Sequence, residues 1–183
     1  MSVLVFLDID DVLCVHPTLN TQNVLAALSA GETANAEEVW QQVFHAVARE
    51  NLRQLHKEFL PHYVISSSWV LHLNREQLCD TFRLTGMAFV AENLHEYWST
   101  PRDVNGDSYR LVEIENWLDT HALGTPVPFI VIDDVISGQS LVGSHLEDQC
   151  VLCNVCTGFM FGQLAQARSI LQAQLTSVSH TRG

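Results

Sequence analysis

Two apolar runs in this sequence deliver carboxylates at their ends. Val3-Leu4-Val5-Phe6-Leu7 leads into Asp8-Ile9-Asp10-Asp11, and Phe129-Ile130-Val131-Ile132 leads into Asp133-Asp134. A third run, His62-Tyr63-Val64-Ile65, ends in Ser66-Ser67-Ser68-Trp69. Runs that are apolar on both faces read as strands of a parallel sheet covered by helices. Side chains at the carboxyl ends of such strands sit where open α/β sheets form their ligand crevices. Carboxylates this close raise one another's pKa unless a cation neutralises them, and a divalent metal is the usual one. If the three strands are neighbours, hard oxygen ligands with room for waters describe a Mg2+ site. Hydroxyls and backbone N–H groups at the serine turn could hold phosphate oxygens. A phosphoryl group in transfer also needs its equatorial charge held. Arg110, at the start of a helix feeding the Asp133 strand, is the best-placed cation.

The rest of the chain supplies the elements that would position these residues. A short helix is expected over 21–30 and a long one over 36–59, with Glu37 and Glu38 in its first turn and His56 and Lys57 in its last. Asn74 caps a helix to about Leu84, and Gly86 marks its stop. Residues 87–90 read as an edge strand and 91–107 as a polar loop. Asp107 or Ser108 caps a helix carrying Leu111, Ile114, Trp117 and Leu118 on one face. After the strand at 129–132, residues 138–148 form a polar loop. Residues 151–155 make a last short strand, 162–175 a closing helix, and 177–183 a frayed tail. This alternation is a doubly wound (Rossmann-like) α/β pattern, with a mainly parallel sheet and helices on both faces. The expected organisation is one domain over 1–183, with a modest helical insertion at about 14–62 and a loop-rich one at about 70–107. The cap is therefore small or absent.

Composition narrows the function. The 183 residues carry a formal charge of −12, from 21 acids against nine cations, and the only lysine is Lys57. Such a surface disfavours loose binding to nucleic acid or anionic membrane. No run approaches the length of a membrane span, and no signal peptide is visible. Five cysteines, an odd number in a chain with a substantial core, suit a reducing cytoplasm. Cys150, Cys153 and Cys156 spell CxxCxxC but lack a fourth ligand, and read as small buried hydrophobes. Trp69 and Trp117 read as core. His16 is the one histidine near enough to the first strand to touch substrate.

With those residues in view, the sequence resembles the haloacid dehalogenase (HAD) superfamily of phosphohydrolases. Asp8-Ile9-Asp10-Asp11-Val12-Leu13 matches its first motif, Val64-Ile65-Ser66 its second, Arg110 its third, and Ile130-Val131-Ile132-Asp133-Asp134 its fourth. Ser66-Ser67-Ser68-Trp69, the helix from Arg110 to Trp117 and Thr157-Gly158-Phe159 resemble a small bacterial branch that includes HAD domains of RNA-repair proteins. The resemblance implies that Asp8 is the nucleophile of an aspartyl-phosphate mechanism and Asp10 the general acid/base. It implies Mg2+ held by Asp8, the Asp10 backbone carbonyl and Asp133, with Asp134 close by. Ser66, or Ser67 one residue on, and Arg110 would bind the phosphoryl oxygens. Two departures stand out. Asp11 occupies a position where the family often has Gly, and Arg110 replaces the commoner Lys.

The expected activity is a Mg2+-dependent phosphatase acting on a small molecule or a nucleic-acid end. A phosphoacceptor receiver is disfavoured, because its late lysine is missing. The alternative is a silent or accessory interaction domain of a repair system, against which the retention of both Asp8 and Asp10 speaks. An open site favours a sizeable or polymeric phosphate substrate, or closure by a second copy of the chain in a homodimer.

Overall fold

The computed structural model describes residues 3–15, 43–102, 109–122 and 127–180. Five strands, β1 (Leu4–Leu7), β2 (His62–Ile65), β3 (Leu94–Ser99), β4 (Phe129–Asp134) and β5 (Cys150–Cys153), form one sheet. Their order is β3-β2-β1-β4-β5, with every pairing parallel. The chain builds outward from β1 to β3 on one side, then crosses back to add β4 and β5 on the other. The order therefore reverses between β1 and β4, the point at which doubly wound sheets open their ligand crevice.

Alternation along the strands divides the core into two layers. Val5, Leu7, Tyr63, Ile65, Ile130 and Ile132 face the larger one. It is filled by Leu52 and Leu55 of α1 (Ala46–Phe59), Leu78 and Phe82 of α2 (Arg75–Leu84), and Val90 of α3 (Ala88–Glu92). Leu4, Phe6, Val64 and Val131 face the other layer, against Ile114 and Trp117 of α4 (Arg110–His121). There the Phe6 ring meets Trp117 edge-on at 5.2 Å. The closing helix α5 (Phe161–His180) returns Leu164 and Leu171 to the larger layer. Helices on both faces confirm the doubly wound architecture. No helix among the described residues is long and apolar enough to cross a membrane.

Local signals explain several boundaries. Asn74 and Gln77 form a reciprocal capping box at the start of α2. Gly86 follows the helix in the left-handed region, φ 75°. Arg49 and Arg53 of α1 reach across to the carbonyls of Thr85 and Gly86, tying the two helices together.

Other boundaries differ from the sequence reading. A helix running unbroken over 36–59 is not formed, because Phe44 pairs back with Cys14 and His45 N–H donates to the Leu13 carbonyl. α1 starts only at Ala46, while residues 36–42, the expected helix at 21–30 and His16 lie outside the described residues. The expected edge strand at 87–90 is helix α3, and the stretch read as loop at 91–107 contains β3. A four-residue apolar run cannot be assigned by periodicity. β3 is fixed instead by its neighbour: Tyr63 N–H donates to Asn93 O and Thr100 N–H to Ile65 O. The insertion at about 70–107 is thus regular as far as Ser99. β4 continues through both carboxylates, since Asp133 and Asp134 pair with Leu152 and Cys153. β5 covers four residues rather than 151–155, and the loop at 138–148 holds two short 3-10 turns, Gln139–Leu141 and Glu147–Gln149. The closing helix is longer than 162–175, and residues 177–180, read as frayed, belong to it. Tyr109 precedes α4 without a side-chain cap, and Asp107 and Ser108 lie outside the described residues.

Candidate active site

Pairing of β1 with β4 sets Leu7 opposite Ile132, and Asp8 N–H donates to the Ile132 carbonyl at 2.9 Å. Asp8 and Asp133 consequently face each other across the point where the strand order reverses. Oxygens of Asp8, Asp133 and Asp134 all lie within 4.8 Å of one another, and all three residues are buried. Asp134 Oδ1 also accepts from the N–H groups of Ile136 and Ser137, which fixes the turn after β4.

One guanidinium stands among these acids. Arg110 Nε donates to Asp133 Oδ2 at 2.5 Å, and its Nη1 donates to Ser66 Oγ at 3.1 Å and to Glu113 Oε2 at 2.9 Å. Its Nη2 lies 3.5 Å from Asp8 Oδ1. Asp8, Glu113, Asp133 and Asp134 are thus four buried carboxylates around one buried arginine. The imbalance shows in their protonation. Burial, then the nearby Asp133, pushes Asp8 well above the usual carboxylate range, with Arg110 pulling against them. Burial raises Asp133 to about 6 despite the Arg110 contact. Arg110 is held cationic, since the three acids it touches outweigh its desolvation.

The other residues singled out from the sequence occupy distinct places. Ser66 Oγ also accepts from Thr100 Oγ1 at 3.3 Å, so its hydroxyl is engaged. Ser67 is fully buried, and its Oγ completes no hydrogen bond, although it lies near enough to Asp8 to favour the ionised carboxylate. Asp8 Oδ2 is likewise buried without a hydrogen-bond partner. The Ser67 hydroxyl and the Asp8 carboxylate are thus neighbours. Asp10 stands apart from the three clustered acids. Its carboxylate accepts from Ser68 Oγ at 3.3 Å and from Trp69 Nε1 at 3.2 Å. Trp69 is core, as expected, but its polar edge also steers Asp10.

Asp11 takes the left-handed conformation, φ 54°, which a glycine adopts without strain and aspartate tolerates. Its Oδ1 accepts from the backbone N–H of Cys156 at 2.7 Å. Asp11 thereby clasps the turn after β1 to the loop after β5. Gly158, φ 80°, completes the clasp: a Cβ there would lie 2.8 Å from Val12 O, which accepts from Phe159 N–H. Cys150 and Cys153 are buried in opposite layers, whereas Cys156 is exposed in this loop rather than buried.

The sequence reading missed Glu113 and Arg102. Glu113 sits three residues after Arg110, a spacing that places both on one helix face, and this was a usable signal. Arg102 lay in a stretch read as loop, and no motif marked it. After β4, a depression of about 420 Å³ is lined by Tyr109, Ile136, Ser137, Gln139 and Ser140 and by none of the clustered acids.

A parallel 3-2-1-4-5 sheet, with acids at two adjoining carboxyl ends and a serine and an arginine beside them, defines a HAD-like domain. The family model described as the HAD domain in Swiss Army Knife RNA repair proteins matches residues 4–162, and the chain belongs to that family. No curated protein and no solved structure matches the chain at a significant level.

Proposed function

We propose that the domain is a Mg2+-dependent phosphatase that works through an aspartyl-phosphate on Asp8. The carrying observation is the charge imbalance: four buried carboxylates against two arginines, Arg110 among them and Arg102 at Glu113, with Asp8 Oδ2 without a hydrogen-bond partner. Such a cluster favours a small dication with oxygen preference. Asp8, Asp133 and Asp134, with the Asp10 carbonyl, would hold Mg2+. The ion would offset the acids' mutual repulsion and polarise a phosphoryl oxygen.

In this reading Asp8, ionised, attacks phosphorus in line with the leaving oxygen. Asp10, held by Ser68 and Trp69, protonates that oxygen and then takes a proton from the hydrolytic water. Arg110 and the Ser67 hydroxyl beside Asp8 hold the phosphoryl oxygens, while Ser66 orients Arg110. Membership of a family found in RNA repair proteins makes a phosphorylated RNA end the first substrate to test, ahead of small phosphorylated metabolites.

The experiment is phosphate release with Mg2+ from an aryl phosphate and from oligoribonucleotides phosphorylated at either end. Wild type is expected to turn over at least one of them and Asp8→Asn none. Absence of turnover across the panel, or an active Asp8→Asn variant, overturns the reading.

A further inference from the structure

Arg102 is the second cation of the carboxyl edge. It follows β3, and Thr100 anchors its segment by donating its N–H to Ile65 O and its Oγ1–H to Ser66. The side chain is 16% exposed, against 3% for Arg110. Arg102 Nε approaches Glu113 Oε1 at 3.5 Å, while the other Glu113 oxygen is taken by Arg110 at 2.9 Å. One carboxylate thus stands between two guanidinium groups.

Most other arginines are committed elsewhere. Arg53 pairs with Glu50, Arg83 with Asp80 and Arg168 with Glu58, and Arg49 spans to α2. Arg102 and Arg110 are thus the two cations set among the acids of this one sheet edge. The Arg102–Glu113 contact is also incomplete. Both Arg102 Nε and Glu113 Oε1 are buried without a hydrogen-bond partner among the described residues. An arginine present only to neutralise Glu113 would close that contact, since buried polar atoms are normally satisfied. An arginine kept for a ligand need not. Burial and the neighbouring Arg110 disfavour its charge, while Glu113, Asp8 and Asp133 favour it, so it lies within electrostatic reach of the nucleophile.

We propose that Arg102 is a specificity-determining residue. It binds a second phosphate of the substrate, next to the phosphate monoester presented to Asp8. The inference rests on the phosphatase reading and narrows it to substrates with two adjacent phosphates. Arg102 turns from Glu113 to the ligand, and Glu113 keeps Arg110 as its partner. The guanidinium fork suits a phosphate bidentately, which a point charge would not. Two sources share this chemistry: the last two phosphates of a polynucleotide end, and a small bisphosphate.

The test compares a nucleoside 5′-monophosphate, a nucleoside 3′,5′-bisphosphate and an oligoribonucleotide with a terminal phosphate. Each is used with wild type, Arg102→Gln and Arg102→Lys, in turnover assays and in calorimetric binding with Mg2+. Wild type is expected to prefer the two-phosphate probes. In Arg102→Gln their kcat/KM falls by about 10–100-fold, mainly through KM. The monophosphate falls far less, and Arg102→Lys recovers part of the preference. An oligonucleotide preferred over the bisphosphate identifies a polynucleotide end as the source, and the reverse order a small molecule. A preference untouched by Arg102→Gln overturns the proposal, as does an equal loss on every probe with a lowered melting temperature. Binding preference lost in Arg102→Gln without wild-type turnover would uphold Arg102 and sink the phosphatase reading. Equal binding of all probes by wild type would sink the Arg102 proposal.

Discussion

At the scale of single residues, the site separates acids of the same type by what surrounds them. Asp8 is buried beside Asp133 with one oxygen unpartnered, a position suited to attack once positive charge is supplied. Asp10, two residues on, is partly exposed and held from the side by a hydroxyl and an indole. Asp11 is turned out of the site by its left-handed backbone and spends an oxygen on Cys156 N–H. Its negative charge therefore does not add to the cluster that would receive a dianion. The indole contact yields a prediction. Trp69→Phe keeps a large ring in the core, edge-on to Phe44, but removes the donor to Asp10. If Asp10 is the acid/base group, kcat falls by about 10–150-fold, the value of one hydrogen bond to a charged group, with KM little changed. A rise in KM with kcat retained, measured by continuous phosphate release, would show that Trp69 serves binding instead.

At the scale of elements, the site depends on a loop distant in sequence from its nucleophile. The turn after β1 is pinned by Asp11 to Cys156, by Val12 to Phe159, and by the close approach of Gly158. Asp11→Gly removes the side-chain bond but keeps the backbone relaxed. Asp11→Ala removes the bond and leaves a Cβ in the left-handed region, adding about 1–2 kcal/mol of strain. Alanine should therefore be the more destabilising substitution in denaturant titrations, and equal midpoints would contradict this account of Asp11. The three strands that carry the acids and the serines were legible because each is an apolar run ending abruptly in polar residues. The helix from Arg110 was legible from its spacing of Leu111, Ile114, Trp117 and Leu118. β3 was not, because it shows no alternation: Leu94 alone is buried, and the adjacent Glu96 and Tyr97, on opposite faces, are both exposed. Its strand character comes from the open edge of β2, a tertiary effect that no local pattern contains. Arg102 was missed with it. Ser66 and Ser67 could not be told apart from sequence, since the difference lies in which hydroxyl Arg110 and Thr100 engage.

At the scale of the whole molecule, the domain stores electrostatic repulsion at the edge of its sheet, and that has a measurable consequence for folding. Asp133 titrates at about 6 in the folded protein, and Asp8 lies well above the ordinary carboxylate value of 3.8. The folded state therefore binds protons more tightly than the unfolded chain. Where that holds, stability falls as pH rises, the opposite of a salt-bridged aspartate. For the metal-free protein the Asp133 contribution is fully present below pH 4 and is lost as pH climbs through about 6. Other carboxylates titrate in the same window, so the informative quantity is the difference between wild type and Asp133→Asn. In EDTA, the melting temperature of wild type should drop relative to the variant by on the order of 5 °C between pH 4.5 and pH 7.5. Mg2+ should reverse the sign of the comparison. A dication binds the ionised cluster, so its stabilising effect on wild type should grow with pH and shrink in Asp133→Asn. A wild-type melting temperature that tracks the variant's at every pH would mean that Arg110 already neutralises the cluster. A Mg2+ effect of equal size in both proteins would place the ion elsewhere. The expected pattern, destabilisation by alkali that Mg2+ reverses, links the burial of these acids to the chemistry proposed for them.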